Sequence, residues 1–373
     1  MKNRKVKILF AGGGTGGHLY PAVALCEEFI NQLGKENVTV LFIGSHYGIE
    51  KRIVPKLGYP FKPIWIRGIQ RSFTWTAIKV NLLAPFRIIT SFLQSYRSIK
   101  KFAPDLAIGT GGYASGPAIS VAGMIGIPVF LQEQNVYPGV TTRMLAKYAK
   151  TIYVSYSDSK KYLENIKALG TPLRISLQQQ DLSESLRKFA LSNQKQTIFV
   201  FGGSQGSRAI NDFLLQNIEA IAKATNTQFI WQTGKRDFEE IIKTHGQNPY
   251  LKIQPFIDAM DYAYSAADLV ICRSGALTLA ELCLFSKASI LIPLPTAAGN
   301  HQEQNARSLE KKNAAVVILQ KELSQRTLIE KINYILGNPE IKKNMERAAG
   351  ENAKPSAATS IVTDIIKTLE ENA

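Results

Sequence analysis

The sequence predicts a two-domain α/β protein, each domain a Rossmann-like parallel β-sheet covered on both faces by helices. Three observations carry this. Short apolar runs alternate with amphipathic stretches along most of the 373 residues, the pattern of parallel strands buried on both faces. That length exceeds one ordinary core and suits two. The opening Val6-Lys-Ile-Leu-Phe-Ala-Gly-Gly-Gly-Thr15-Gly-Gly-His18 restarts about 190 residues later as Ile198-Phe-Val-Phe-Gly-Gly-Ser204-Gln-Gly-Ser207, and a repeated opening implies a repeated domain.

In the first half, runs 6–11, 38–43, 106–108, 129–131 and 152–155 read as strands, with helices over 21–33, 86–101, 117–125 and 140–149. In the second half the strands are 197–201, 228–232, 252–254, 269–272 and 289–292, with helices near 208–223, 277–285, 302–312 and 325–336. Residues 168–194, which turn polar and rich in Gln and Ser, read as the linker. After Pro355, Val362, Ile365, Ile366 and Leu369 share one helical face, so the tail should pack on something.

Composition narrows the function. Hydrophobic residues make up 45% and charged residues 20%, a globular balance. Three cysteines, Cys26, Cys272 and Cys283, form no CxxC pair and no zinc spacing, which points to a reducing compartment. The most apolar long stretch, 117–131, is broken by Gly123, Gly126 and Pro128 and is too short to span a bilayer. The expectation is therefore a cytoplasmic protein. The net charge of +16 is uneven: residues 1–170 hold 22 Lys and Arg against 8 acids, the rest 23 against 21. A basic half wants an anionic partner, be it nucleic acid, a membrane surface or a phosphorylated substrate.

Three glycine loops follow strands: Gly12 to Gly17, Gly109-Thr-Gly-Gly-Tyr113-Ala-Ser-Gly-Pro117, and Gly202-Gly-Ser204-Gln-Gly206. At such junctions the backbone approaches a ligand closely and a helix start offers N–H groups to a phosphate. One loop alone is usually a turn; three at the same edge of parallel sheets are expected to ring a cleft and to include phosphate contacts. The first fits GxGxxG, but the next strand ends Phe42-Ile43-Gly44-Ser45 without the acid that a dinucleotide ribose needs. No GK[ST] follows it, which excludes a P-loop.

His18 stands at the start of the first helix and is a candidate general base, since imidazole titrates near neutrality; a lone histidine is more often structural. Glu133-Gln134-Asn135 reads as a polar turn or as a polar wall beside His18. Thr278-x-x-Glu281 reads as a capping box, or else Glu281, in the first turn of its helix, clamps a ribose. Gly299-Asn-His301-Gln302-Glu303-Gln304-Asn305 is dense in amides for a solvated loop and suits sugar hydroxyls.

No acid occurs from Lys51 to Pro104, a stretch of 54 residues with 11 Lys and Arg. Cations interleaved with bulky apolar groups mark either a core helix with a basic face or an interfacial membrane surface. The membrane reading centres on Phe73, Trp75, Ile78, Leu82, Leu83 and Phe86, with Lys79 and Arg87 beside them.

GGTGGH at 13–18, GTGGYASGP at 109–117, EQN at 133–135, GGSQGS at 202–207, CRSGALTLAE at 272–281 and the Gln-rich loop at 300–305 occur in the order found in one family. Over about residues 6–350 the chain resembles the bacterial transferases that move N-acetylglucosamine from UDP-GlcNAc to lipid I, giving lipid II for peptidoglycan. The resemblance implies the GT-B fold, two Rossmann-like domains with an interdomain cleft: 1–170 on the acceptor and membrane side, with 353–373 packing back on it, and 171–352 for UDP-GlcNAc. It implies that Thr15, Gly16, Gly17, His18, Tyr113, Glu133 and Asn135 form the acceptor side and catalytic centre. Ser204 would contact the diphosphate, Ile257 would hold uracil through its backbone, and Glu281 would bind the ribose. Arg273, Ala276, Leu277, Thr278, Leu279 and Ala280 would line the nucleotide site, Gln302 would take the sugar, and Arg174 and Asn211 would join them. The chain departs from the family at Thr171-Pro172, where Asn-Pro is usual, at Thr142 and at His301.

The same resemblance implies an inverting enzyme at the cytoplasmic face of the bacterial inner membrane, held peripherally by anionic lipid. Its partners would be UDP-GlcNAc, lipid I and other cell-wall synthesis proteins, not nucleic acid. No clustered carboxylates offer a metal site, so no bound cofactor is expected, and stimulation by Mg²⁺ would not require one. Three alternatives stay open: a related transferase acting on diacylglycerol, a nucleic-acid-binding protein suggested by charge alone, and a non-catalytic sugar-nucleotide-binding module.

Overall fold

A computed structural model describes residues 5–68, 74 and 81–371. The chain forms two compact units, Met1–Ile175 with Pro355–Ala373, and Ser176–Lys354.

The first unit is built on seven strands: β1 Val6–Ala11, β2 Val38–Ser45, β3 Phe61–Ile64, β4 Leu106–Gly109, β5 Val129–Glu133, β6 Ala149–Val154 and β7 Ile166–Ala168. They pair in parallel in the order β3-β2-β1-β4-β5-β6-β7. β1 lies at the centre, Ile8 opposite both Val40 and Leu106, and its last four residues are fully buried. That is why it reads as an unbroken apolar run rather than an alternation. The order reverses between β1 and β4, the switch point at which open α/β sheets leave a crevice beyond their strand ends.

The first helix, Gly16–Leu33, begins five residues before the sequence places it. The end of the glycine run serves as its first turn, where backbone N–H groups need no intrahelical partner. β3 and β7 carry too little apolar pattern to be read from the sequence. β3 is an edge strand, Phe-Lys-Pro-Ile, which pairs on one side only and so tolerates a proline. The boundary between units also differs. Residues 171–175 stay with the first unit, where the Thr171 hydroxyl hydrogen-bonds that of Ser155 at 2.5 Å. The polar stretch beyond them is not all linker: it holds the helix Leu182–Lys188, whose Asp181 side chain accepts the Glu184 N–H at 2.8 Å.

The tail forms the helix Ala357–Glu370, which packs on the helix Gly16–Leu33. Ile361, Val362 and Ile365 are fully buried in the same core as Phe10 and Phe29, a burial that stabilises by roughly 2 kcal/mol per side chain. Asp364 adds polar anchorage, accepting from the Tyr153 hydroxyl at 2.8 Å and from Lys167 Nζ at 2.6 Å.

The second unit repeats the architecture with β8 Gln196–Phe201, β9 Thr227–Gln232, β10 Leu251–Gln254, β11 Leu269–Cys272, β12 Ser289–Leu291 and β13 Val316–Val317. The parallel order is β10-β9-β8-β11-β12-β13, with the switch point between β8 and β11. Helices Arg208–Thr225, Ala276–Leu284, His301–Glu310 and Gln325–Leu336 lie near the positions read from the sequence.

The helix Ala84–Phe102, in the acid-free stretch, is turned the opposite way from an ordinary surface helix. Arg87, Ser91, Ser95 and Ile99, spaced four apart, are buried. Phe86, Ile89 and Leu93 face outward with exposures of 65%, 62% and 54%. Leu82, just before the helix, is 76% exposed. The expected role of Arg87 as a surface cation does not hold: its guanidinium is buried over the Trp65 ring, 5.5 Å from the centroid. Phe73, Trp75, Ile78 and Lys79 lie outside the described residues. Among the described residues no helix is long and apolar enough to cross a membrane.

Candidate active site

In the first unit the candidate residues gather at the carboxyl ends of β1, β4 and β5. The loop after β1 turns into the helix Gly16–Leu33 at Thr15, an exposed residue whose side chain makes no cap. The His18 ring lies against the loop after β4. Gly111 and Gly112 there have φ of +92° and +77°, and a side chain on either would meet the imidazole. His18 Nδ1 is 3.1 Å from the Thr110 carbonyl oxygen. A carbonyl only accepts, so Nδ1 carries a proton, and in the neutral ring the lone pair is on Nε2. Thr110 fastens the pair a second time, its hydroxyl donating to the His18 carbonyl at 2.6 Å. Gln134 Nε2 donates to the same Thr110 carbonyl at 2.8 Å. Two neighbouring strand ends thus fix the ring and its tautomer, the arrangement a general base requires.

Tyr113 fills the space beside Gly14 and Gly68, where any side chain would strike its ring. Burial raises its phenol above the usual range, a Ser45 hydrogen bond opposes this, and the Glu50 charge adds to the rise. The hydroxyl therefore stays a donor at neutral pH. Glu133 is less available than its position suggests. Oε1 accepts from Asn135 N at 3.0 Å and Asn135 Nδ2 at 2.9 Å, and Oε2 accepts from Gly139 N at 2.9 Å. With 1% exposure and both oxygens engaged, it clamps the Asn135–Gly139 turn. Arg174 also sits in this unit, not on the second sheet, its guanidinium 4.5 Å from the Tyr20 ring centroid.

In the second unit, the loop after β8 leaves Ser204 exposed ahead of the helix Arg208–Thr225, which has no acid in its first turn. Such a start favours an anion. Glu281 lies in the second turn of the helix Ala276–Leu284, not the first. The capping box is absent: Gly275 is the N-cap, and Thr278 is already inside the helix with Ala276, Leu277, Leu279 and Ala280. Glu281 Oε2 accepts the Tyr264 hydroxyl at 2.8 Å. That bond comes from a fully buried tyrosine and orients the carboxylate.

Arg273 turns inward. Its guanidinium donates to the Ile292 and Pro293 carbonyls at 3.0 and 2.9 Å, to Ser207 Oγ at 2.8 Å and to Gln320 Oε1 at 2.6 Å. Burial pulls it down to about 10, still charged at neutral pH. It joins the ends of β11 and β12 to the β8 loop. Asn211, similarly, spends its amide on the Thr233 carbonyl, Asp237 and Trp231. The Ile257 N–H is engaged by Gln232 Oε1 at 2.8 Å, so a backbone contact from Ile257 to a base would use its carbonyl. Gln302 Oε1 accepts the Leu294 N–H at 3.0 Å, tying the amide-rich helix start to the loop after β12.

Three contributors are not apparent from the sequence. Thr110 stands out there only as part of a loop, because its role is played partly by a backbone carbonyl. Tyr264 lies on a short helix, Met260–Ala266, distant in sequence from Glu281. Glu50 follows the strand end that lacks an acid, five residues on, and turns under the first glycine loop.

Two parallel Rossmann-like sheets with candidate groups at their switch points define a GT-B glycosyltransferase architecture, and known proteins similar to the chain agree. Residues 8–154 match the glycosyltransferase family 28 N-terminal domain and 197–362 its C-terminal domain. The chain belongs to glycosyltransferase family 28. A relative from Finegoldia magna, named UDP-N-acetylglucosamine--N-acetylmuramyl-(pentapeptide) pyrophosphoryl-undecaprenol N-acetylglucosamine transferase, is 38% identical over 98% of this chain and 99% of its own. A relative of the same name from Prosthecochloris aestuarii is 39% identical, over 95% and 97%. Among solved structures, Acinetobacter baumannii MurG matches with a TM-score of 0.73 and 27% identity over 97% of this chain and 99% of that one. A putative UDP-N-acetylglucosamine 2-epimerase from Listeria monocytogenes shares the fold, with a TM-score of 0.72 at 14% identity.

Proposed function

We propose that the protein transfers N-acetylglucosamine from UDP-GlcNAc to the C4 hydroxyl of the muramyl sugar of lipid I, with inversion. The observation that carries the chemistry is His18, whose Nδ1–H is held by the Thr110 carbonyl so that Nε2 can take a proton. The acceptor oxygen bonds to the anomeric carbon as the bond from that carbon to the diphosphate oxygen breaks. The hydroxyl proton passes to His18 Nε2, and UDP leaves with the bonding pair. Backbone N–H groups at the start of the helix Arg208–Thr225, beside Ser204, stabilise the developing charge. Glu281, oriented by Tyr264, takes the ribose hydroxyls, and the Ile257 carbonyl takes the base.

The acceptor named in the relatives carries an undecaprenyl chain, which stays in a bilayer, so the enzyme must come to it. The outward apolar face of the helix Ala84–Phe102, in the basic half of the sequence, supports peripheral docking on an anionic membrane at the cytoplasmic side. Other cell-wall synthesis proteins are expected there.

The deciding experiment is turnover of UDP-GlcNAc with a short-chain lipid I analogue, with diacylglycerol in parallel. Sugar transfer to the lipid I analogue is the expected result. Transfer only to diacylglycerol would move the enzyme to another acceptor. UDP-GlcNAc binding without any transfer would leave a binding module.

A further inference from the structure

Glu50 begins the helix Glu50–Lys56 and is 1% exposed. Its Oε2 accepts the Gly14 N–H at 2.8 Å and its Oε1 accepts the Ser45 N–H at 2.8 Å. Two acceptor oxygens meeting two N–H donors is the hydrogen-bonding pattern of a carboxylate. Among the described residues no lysine or arginine pairs with it. Burying such a group is costly unless its hydrogen bonds are made, so a chain that only needed to fill this space would be served by an apolar side chain.

The backbone is shaped around it. A Cβ at Gly13, Gly44 or Gly48 would run into the Glu50 carboxyl. Three glycines, two in loops and one near the end of β2, thus clear the same small volume. Gly14 stands at φ +84°, a conformation glycine adopts without strain. The site also crowds this loop: the Gly13 carbonyl packs against Gly112, Gly112 against the His18 ring, and Gly14 against Tyr113. The loop thus touches the carboxylate directly, Tyr113 at Gly14, and the candidate base by way of Gly112.

We propose that Glu50 is a positioning residue of the acceptor half-site, a built-in anion that occupies the Gly13–Gly14 end of the first glycine loop and thereby fixes where Thr15 and His18 stand. The assignment rests on the transfer reaction proposed above. It also sets the chemistry of what the loop can receive. The Gly14 N–H that would greet a phosphate is already taken by a carboxylate, and a second anion there would meet like charge. That end of the loop therefore faces an uncharged, hydroxyl-bearing part of the acceptor.

The test uses the full-length enzyme, Glu50→Gln and Glu50→Ala. UDP-GlcNAc affinity is measured by calorimetry, kcat and KM with a short-chain lipid I analogue, and thermal stability in sodium formate against sodium chloride at equal ionic strength. Glu50→Ala should keep donor affinity within about twofold and lose kcat by about 10²-fold, the scale of a misplaced catalytic group. Glu50→Gln, of the same shape and with one acceptor oxygen, should recover at least tenfold of that loss. Formate, a free carboxylate, should raise the melting temperature of Glu50→Ala and leave the wild type unmoved, because only the variant offers an empty pair of N–H donors. The assignment is overturned if Glu50→Ala turns over within threefold of wild type, if donor affinity falls in step with kcat, or if formate fails to distinguish the variant from wild type. Failure of the transfer reaction itself would appear separately, as a wild type that does not turn over.

Discussion

The two units share a fold and part company at their surfaces and in their glycine loops. Of the 19 large hydrophobic side chains exposed among the described residues, 15 belong to the first unit. The excess positive charge lies in residues 1–170. The first unit's opening loop has its Gly14 N–H bonded to a buried carboxylate, Glu50, whereas among the described residues no carboxylate bonds an N–H of the matching loop of the second unit; the helix that follows has no acid in its first turn in either unit. One Rossmann-like frame thus appears twice with its first glycine loop differently occupied. On the function proposed above, the second unit takes the free anionic nucleotide and the first takes the lipid-borne acceptor. The frame is kept because its hydrogen bonds and core are internal to each sheet; the loops and outer faces are free to differ.

This contrast can be broken most sharply at His18. His18→Ala should lower kcat by about 10²–10⁴-fold while UDP-GlcNAc affinity, assigned to the other unit, is kept. Near-normal turnover would remove the base from the first unit, and the engaged oxygens of Glu133 make it a poor substitute. Next comes the outward face. Replacing Phe86, Ile89 and Leu93 together by Glu should reduce sedimentation with anionic phosphatidylglycerol vesicles by roughly a hundredfold, since apolar area is lost and like charge added. Turnover of a soluble acceptor should survive. Undiminished vesicle binding would put the membrane face elsewhere.

A smaller effect is expected at the ribose. Glu281→Ala should weaken UDP-GlcNAc by roughly 1.5–3 kcal/mol, the worth of charge-assisted hydrogen bonds, read as a raised donor KM with the acceptor KM unchanged. Unaltered donor affinity in a folded variant would reduce Glu281 to a partner of Tyr264. The smallest is at the returning tail. Asp364→Asn keeps an acceptor for Tyr153 but loses the charge facing Lys167, which is half exposed and screened. A loss of about 1 kcal/mol should appear as a melting shift of a few degrees in the first unit. A shift near ten degrees would mean that the tail carries more of the core than Ile361, Val362 and Ile365 account for.

Much of this molecule is legible in its sequence. β1 and β11 lie where their apolar runs place them, because strands buried on both faces admit almost nothing else. The glycine loops are legible because glycine is required where backbone turns at positive φ. The tail is legible as an amphipathic helix needing a partner; its periodicity leaves the partner open, and the family resemblance names the first unit, into whose core it packs. Periodicity also marks the helix Ala84–Phe102 and its apolar stripe. The usual rule would turn that stripe inward, and the packing of Arg87 on Trp65 and of Ser91 and Ser95 against the unit sends it outward instead.

The sequence by itself determined the layered α/β class, the doubled frame, the charge asymmetry and the set of loops at which chemistry is placed. These depend on local rules: hydrophobic period, glycine's freedom and the balance of Lys and Arg against acids. Only the tertiary structure decided which polar atoms remain available within that set. Arg273, Asn211 and Glu133 turn out to be spent on backbone and neighbouring side chains, while among the described residues His18 is held by Nδ1 alone and Glu50 emerges as a buried carboxylate. A residue type fixes how many hydrogen bonds a side chain can make. Which partners claim them depends on strands and loops far apart in sequence, as with Thr110 and His18, 92 positions apart and joined at both ends.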